Sequence, residues 1–486
     1  MRCRRASYLP VLLCLGVTAT PVTAQTVADD PRVLSAIELA RTWLDAQRAY
    51  EQVPAVSAAV VHDQDVLWSG SYGLADIASG RPATTDMICS ICSISKLFTS
   101  LAVLQQRDAG RLRLDDSVRK HLPWFTMKPG GNDGPEITIE GLLTHAAGLP
   151  RESDYPYWSP PDFMFPTHEQ IVKRIGQQQA LQAAETYYQY SNLGLTLAGE
   201  VVAATSGTAY SDYVTGRILE PLGLRSTTPE MPENERGKRL ATGYSALTRE
   251  GQRSPLPFFK AQGIAPAAGY ASTVEDLARF ASWQFRVLGS GGEEVLSANT
   301  LREMHRVHWV DPDFETLWGL GFAVWRDNNK TFVGHGGSCP GYRTQLLLMP
   351  EERVATVFMS NAQNLNARLW AQRLYDIVAP AVKAAAKEPG KGKALDPEMR
   401  RYVGAYSLAP WGGEAAVVPW EDGLALVELP TMDPLKELKK LKRTGDHTFR
   451  RVRRDDTLAE EVVFEIGADG RAARFKQHSN YHPRTE

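Results

Sequence analysis

The stretch "CSISKLF", Cys92 to Phe98, follows the strand-like "MICSI" and opens a helix with apolar spacing at Leu97, Leu101 and Leu104, stopped near Gly110. Within it, Ser93-Ile94-Ser95-Lys96 sets a serine and a lysine one helical turn apart, on one face, with Cβ atoms about 5–6 Å apart. The positive potential of a helix N-terminus disfavours a second positive charge and lowers the lysine pKa. A neutral lysine is a competent base, whereas an unperturbed one (pKa ~10.4) is not. A second match, Ser117-Val118-Arg119-Lys120, follows Asp115-Asp116. Those aspartates would hold Lys120 protonated, and Ser117 reads as a helix cap. Ser93 is the candidate nucleophile and Lys96 its candidate base.

A nucleophilic serine needs a second proton relay and donors for the oxyanion. Tyr190-Ser191-Asn192, within "YYQYSNLGL", supplies a phenol and an amide in one short loop before a helix. Taken alone, the loop reads better as a core aromatic followed by an Asn cap. At the end of the strand-like "TFVGH", His335-Gly336-Gly337-Ser338 offers backbone N–H groups that the glycines leave unobstructed. Arg443-Thr444-Gly445 has a similar look but falls in a turn between short strands and reads as a coincidence.

Strand-like runs flank a helical middle. "AVSAAVV" (Ala55 to Val61) and "VLWSGSYG" (Val66 to Gly73) predict a hairpin around His62-Asp63-Gln64-Asp65. "LGFAVW", "TFVGH" and the pair "TQLLLMP" and "RVATVFMS" come late, followed by an amphipathic helix from about Leu365 to Val378. Thr167 to Gln170 and Ser272 to Glu275 are capping-box patterns. The expected fold class is α+β: an antiparallel sheet with its edges supplied by both ends of this body, flanked by helices, plus a helical lobe. After the linker-like "KAAAKEPGKGKALDPE", short strands and turns from about Met399 predict a small C-terminal β-barrel. Its basic run, Lys436 to Arg454, reads as a solvated face.

The N-terminus reads as an export signal. Arg2, Arg4 and Arg5 precede an apolar run from Leu9 to Val17, and Val22-Thr23-Ala24 precedes Gln25 as a small-residue cleavage site. The apolar run is shorter than the ~18 residues a spanning helix needs. The expected division is a signal peptide over 1–24, a main domain over 25–385, a linker over 386–397 and the barrel over 398–486, in a periplasmic or secreted protein. No later segment is apolar enough to span a membrane. Near-zero net charge, 54 basic against 56 acidic residues, gives no reason to expect nucleic acid as a partner. Cys89, Cys92 and Cys339 remain after cleavage, an odd number that leaves at least one thiol free or paired between chains. Cys89 and Cys92 lie in an apolar stretch and are expected to be buried thiols. No second ligand pair accompanies them, and Val172 stands where a His-Glu-x-x-His zinc motif starting at His168 needs its second histidine, so no metal is expected.

"SISK", then "YSN", then "HGGS" on a late strand, in that order, resemble the serine β-lactamase and penicillin-binding superfamily. The Tyr-x-Asn form is similar to its class C branch, as are "LLTHAAGLP" (with His145) and "AAGYASTVEDLARFA" (with Gly269 and Tyr270), which are landmarks without a catalytic position. The resemblance covers roughly Val53 to Ser360, and the C-terminal segment resembles the lipocalin-like barrel that some relatives append.

The resemblance implies an acyl-enzyme route. Ser93 attacks a carbonyl carbon while Lys96 and Tyr190 manage its proton, the N–H groups of Ser93 and Ser338 hold the oxyanion, and Asn192 binds the acyl-side amide and steers Lys96. It implies no metal or organic cofactor. His335 and Gly336 stand where lactam-binding relatives carry a lysine and a threonine that engage a substrate carboxylate. Losing one charge-assisted hydrogen bond costs about 1.5–3 kcal/mol, roughly ten- to a hundredfold in binding. The expected substrate is therefore an ester or small amide, with a D-Ala-D-Ala peptidase or weak β-lactamase as the alternative. A silent scaffold would be expected to have lost Ser93, Lys96 or Tyr190. An α/β-hydrolase is disfavoured by the lack of a Gly-x-Ser-x-Gly elbow.

Overall fold

The computed structural model describes residues 26–131 and 134–485, so the segment expected to be an export signal lies outside the described residues. The chain starts with a helix that the sequence reading passed over, α1 (Pro31–Tyr50), capped by the Asp30 carboxylate, which accepts from the Arg32 N–H, with proline at the first turn. The hairpin follows as β1 (Ala55–His62) and β2 (Asp65–Asp76). The late strands are β3 (Ala323–Asp327), β4 (Lys330–Cys339), β5 (Tyr342–Met349) and β6 (Val354–Ser360).

These strands build an antiparallel sheet in the order β2-β1-β6-β5-β4-β3, extended at its two edges by short ribbons at Arg81–Pro82 and at Leu317–Trp318 and Trp309–Val310. The early hairpin and the late strands meet in the middle of the sheet, where β1 pairs with β6 from Val56↔Ser360 to His62↔Val354, and each group supplies one of its edges, as expected. Central placement explains why β1 shows no alternation. Seven of its eight residues are buried, because helices cover both faces. One face carries α1 and the last helix of the body, Ala367–Lys387, with Trp43, Phe358 and Trp370 in the core between them. The other carries the helical lobe, with Phe98, Tyr270, Phe280 and Leu346 in its core.

Eight strands from Gly404–Ser407 to Asn480–Pro483 pair in chain order, and a bridge from Tyr406 to Arg484 brings the first near the last, nearly closing the predicted barrel. Tyr402, Tyr406, Phe449, Phe464 and Phe475 fill it. Its face at Ala416, Val418, Val427 and Leu429 joins the core around Trp43, whose indole N–H donates to the Thr431 carbonyl at 2.8 Å. The basic run is matched by acids from neighbouring positions, Lys439 with Glu428 and Lys440 with Glu421 among them.

Two local readings are adjusted. The Thr167 capping box forms as predicted, but the later cap is Thr273, accepting from the Asp276 N–H, one residue beyond Ser272. The cysteine expectation holds only for Cys89, a buried free thiol. Cys92 and Cys339 are joined in a disulfide with Cα atoms 5.6 Å apart, a contact across 247 residues of chain that spacing alone does not reveal. The double variant Cys92→Ala/Cys339→Ala is expected to lose about 2–4 kcal/mol of stability. Its urea midpoint under non-reducing conditions checks this, and a midpoint equal to wild type would refute it.

Candidate active site

Ser93 sits in a single 3-10 turn, Cys92–Ile94, that leads into α2 (Ser95–Asp108). Residues three apart eclipse in such a turn, so the Lys96 side chain is carried directly to Ser93. Cys92, just before, has φ +49°, an uncommon left-handed conformation for a residue with a side chain. The serine is partly exposed, while Lys96 is fully buried.

The Lys96 amine meets Asn192 Oδ1 at 2.7 Å, the Ala267 carbonyl at 2.8 Å and Ser93 Oγ at 3.1 Å. The Ala267 carbonyl can only accept. Asn192 is oriented from its other side, because its Nδ2 donates to the Glu152 carboxylate at 2.7 Å, which leaves Oδ1 facing Lys96. A neutral amine has two N–H donors and one lone pair. With its two hydrogens given to these carbonyl oxygens, the lone pair is left for the Ser93 hydroxyl. Burial, more than any neighbouring charge, holds Lys96 well below its usual pKa, with Glu152 acting in the opposite direction.

Asn192 begins α3 (Asn192–Ser206), but the cap is Ser191, whose hydroxyl accepts from the Gly194 N–H. The amide of Asn192 is thereby freed for Lys96. Lys96 Nζ and the Arg151 guanidinium carbon each lie 4.9 Å from the centroid of the Tyr190 ring. Burial pushes its phenol up, against the opposing pull of the Ser93 hydroxyl beside it, so the phenol stays protonated at neutral pH. His145 packs 4.3 Å from that ring, and its Nδ1 accepts from the Ser191 N–H.

Opposite Ser93 runs the far half of β4. Strand β3 pairs with Lys330–Gly334 only, whereas β5 follows β4 to Cys339, so His335–Cys339 presents an edge to the cleft. Gly337 is required there. A Cβ would stand 2.1 Å from Thr344 Oγ1 and 2.3 Å from the Ile91 carbonyl, so only glycine lets the strand approach the serine's turn. Thr344 donates to that same carbonyl at 3.2 Å. Gly336 is less constrained, as its Cβ would meet the end of the Gln345 side chain at 2.9 Å. The disulfide adds a covalent tie between the residue before Ser93 and the residue after Ser338. His335 is buried, its pKa lowered to about 3 by burial above all, and its Nδ1–H donates to the Gly336 carbonyl at 2.6 Å.

Ser93, Tyr190 and His335 to Ser338 line one cleft of about 640 Å³, and Lys96 and Asn192 lie beneath it. The competing matches fall elsewhere. Lys120 is tied to Asp116 at 2.5 Å, and Ser117 precedes a four-residue helix without a side-chain cap bond. Arg443-Thr444-Gly445 lies on a barrel strand. Sequence reasoning missed Glu152, Ala267 and Thr344. Glu152, three residues after Leu149 in "GLPRESD", had no distinguishing spacing, and a backbone carbonyl leaves no trace in a sequence. Among the described residues, no group of three or more His, Cys, Asp or Glu is placed to hold a metal ion, and no helix is long and apolar enough to cross a membrane.

A buried lysine against a serine on a helix start, faced by a strand edge of one antiparallel sheet, defines a class of protein. Residues 40–378 match the Beta-lactamase family model, and the chain belongs to that family of serine β-lactamase-fold hydrolases. It is 27% identical to "Beta-lactamase-like protein 2" of Dictyostelium discoideum over 338 residues, 68% of this chain and 60% of that relative's length. It is 24% identical over 437 residues to "Penicillin-binding protein 4*" of Bacillus subtilis, covering 85% of this chain and 93% of the other. In structure it is similar to the octameric penicillin-binding protein homologue from Pyrococcus abyssi, with a TM-score of 0.63 and 23% identity over 92% of this chain and 99% of that one. The fold likeness therefore extends through the C-terminal barrel.

Proposed function

We propose that the protein is an exported serine hydrolase that cleaves an ester through a Ser93 acyl-enzyme. The observation that carries this reading is the Lys96 amine, fully buried, held by Asn192 Oδ1 and the Ala267 carbonyl, and 3.1 Å from the partly exposed Ser93 hydroxyl. Ser93 Oγ attacks the carbonyl carbon as its proton passes to Lys96. The N–H groups of Ser93 and Ser338 hold the developing oxyanion. The C–O bond to the alcohol breaks, and the departing oxygen takes a proton from the Tyr190 phenol, which recovers one from Lys96. Water then attacks the acyl-enzyme along the reverse relay, releasing the acid and restoring Ser93.

Two features favour an ester over a lactam or a D-peptide. His335, neutral when buried, and Gly336 supply neither the cation nor the hydroxyl of the lactam-binding pattern. Asn192 already gives one amide hydrogen to Glu152 and its oxygen to Lys96, which leaves one hydrogen for an acyl-side amide. The second reading, a D-Ala-D-Ala carboxypeptidase or weak β-lactamase, draws on the likeness to Penicillin-binding protein 4* over most of both chains. A non-catalytic cell-wall scaffold is the least supported, since Ser93, Lys96 and Tyr190 are all present.

Side-by-side turnover of 4-nitrophenyl butyrate, nitrocefin and a D-Ala-D-Ala peptide tests the choice. Ester kcat/KM is expected to exceed the other two by about tenfold or more, the low end of what one missing charge-assisted hydrogen bond costs them. Comparable values for nitrocefin or the peptide would move the assignment to the cell-wall reading.

A further inference from the structure

The segment Pro150-Arg151-Glu152 docks on the start of α3. The Asn192 and Leu193 N–H groups, which a helix leaves without internal partners, donate to the Arg151 carbonyl at 2.7 and 3.2 Å. The Ser191 hydroxyl donates to the Pro150 carbonyl at 2.6 Å. These bonds set Glu152 beside Asn192. One of its oxygens takes the Asn192 Nδ2–H and meets Arg151 Nε at 3.3 Å, while the other accepts from the buried Tyr157 phenol. Both carboxylate oxygens are engaged, so the group is fixed in place.

From there Glu152 acts on Lys96 in two ways. A carboxamide keeps nearly the same shape after a half-turn about its last bond, so packing does not choose which end faces Lys96. Glu152 chooses, because an ionised carboxylate only accepts: Nδ2 turns to it and Oδ1 to the amine. The second way is charge. On taking the Ser93 proton, Lys96 becomes a fully buried cation, which is costly without a counter-charge. Against the burial that disfavours the ammonium, Glu152 favours it, and Arg151 adds to the burial. The other titratable groups around the amine are neutral. Tyr190, Tyr210 and Tyr270 are phenols held above their ordinary pKa by burial, and His145 and His335 are imidazoles held below theirs.

We infer that Glu152 is a positioning residue of this site: it fixes Asn192 with its oxygen on Lys96 and is the counter-charge for the ammonium that proton transfer creates. Ser93, Lys96, Asn192 and Glu152 then form one line, a nucleophile and a base oriented by further groups. This rests on the reading of Lys96 as the base for Ser93 and adds the residue that governs it.

Charge and reach can be separated. Glu152→Gln keeps an oxygen for Asn192 Nδ2 and removes the charge, whereas Glu152→Asp keeps the charge and shortens the arm. Two readouts are followed against pH: kcat/KM for 4-nitrophenyl butyrate, and the rate at which a fluorophosphonate labels Ser93. In Glu152→Gln the acid limb of both profiles is expected to move down by about one pH unit, since losing the negative charge lowers the Lys96 pKa. In Glu152→Asp the limb should stay, and the plateau should fall about tenfold or more because Asn192 is no longer held in register. The plateau of Glu152→Gln should fall less. A glutamate that only supports the fold would reduce the labelled fraction in both variants and leave limb and rate of the remainder unchanged, which would overturn the inference. An acid limb that Glu152→Gln leaves in place would overturn it too. Should only one variant fold by circular dichroism, its own limb and plateau decide. Wild type without labelling above the Ser93→Ala background would instead reject the serine-hydrolase reading, and this inference with it.

Discussion

Ser93→Ala is expected to reduce ester kcat by about ten thousandfold or more, to the level that oxyanion donors and binding alone provide. The size follows from the chemistry. Without Oγ no acyl-enzyme forms. The substitution removes a partly exposed hydroxyl and leaves the bonds of Lys96 to Asn192 and Ala267 in place, so the fold should be kept, as circular dichroism would verify. Ser117→Ala is the matched control, because Lys120 is held by Asp116 far from any basic role. Full activity in Ser93→Ala together with loss in Ser117→Ala would reverse the assignment.

Lys96→Met should come next in size, with kcat lowered about a hundred- to ten-thousandfold, the usual contribution of a positioned general base. Methionine fills much of the buried stem's space but strands Asn192 Oδ1 and the Ala267 carbonyl, each at about 1–3 kcal/mol, so the melting temperature should drop as well. The pH profile separates the chemical loss from the structural one. The amine works as a base only when neutral, so wild-type kcat/KM should be small at low pH, rise as Lys96 loses its proton, and level off above its pKa. Because burial depresses that pKa, the rise should occur well below the range of a free lysine. In Lys96→Met this limb should disappear. An unchanged limb in the variant would assign it to another group and remove Lys96 from the role of base.

Much of the site is legible because its chemistry is local. Ser93 and Lys96 fall on one turn, and the strand-to-helix context in the sequence distinguishes them from Ser117 and Lys120. The strands at Ala55–His62 and Val354–Ser360 are legible from their apolar β-branched runs. Their pairing in the middle of the sheet is not, because two-sided burial erases the alternation that would mark position. Asn192 as a lysine partner was readable only through its company with Tyr190, and its being released from capping by Ser191 depends on one hydrogen bond to Gly194.

By itself, the sequence determined the local elements and the order of the three motifs, since helix starts, hairpins and glycine-bearing strand ends depend on residues a few positions apart. Tertiary structure alone decided what those motifs meet. It joined Cys92 to Cys339, turned Asn192 toward Lys96 by way of Glu152, and closed the Ala267 carbonyl on the amine. Each of these depends on packing between segments far apart in the chain, where burial sets the lysine's charge and distance in sequence carries no information about distance in space.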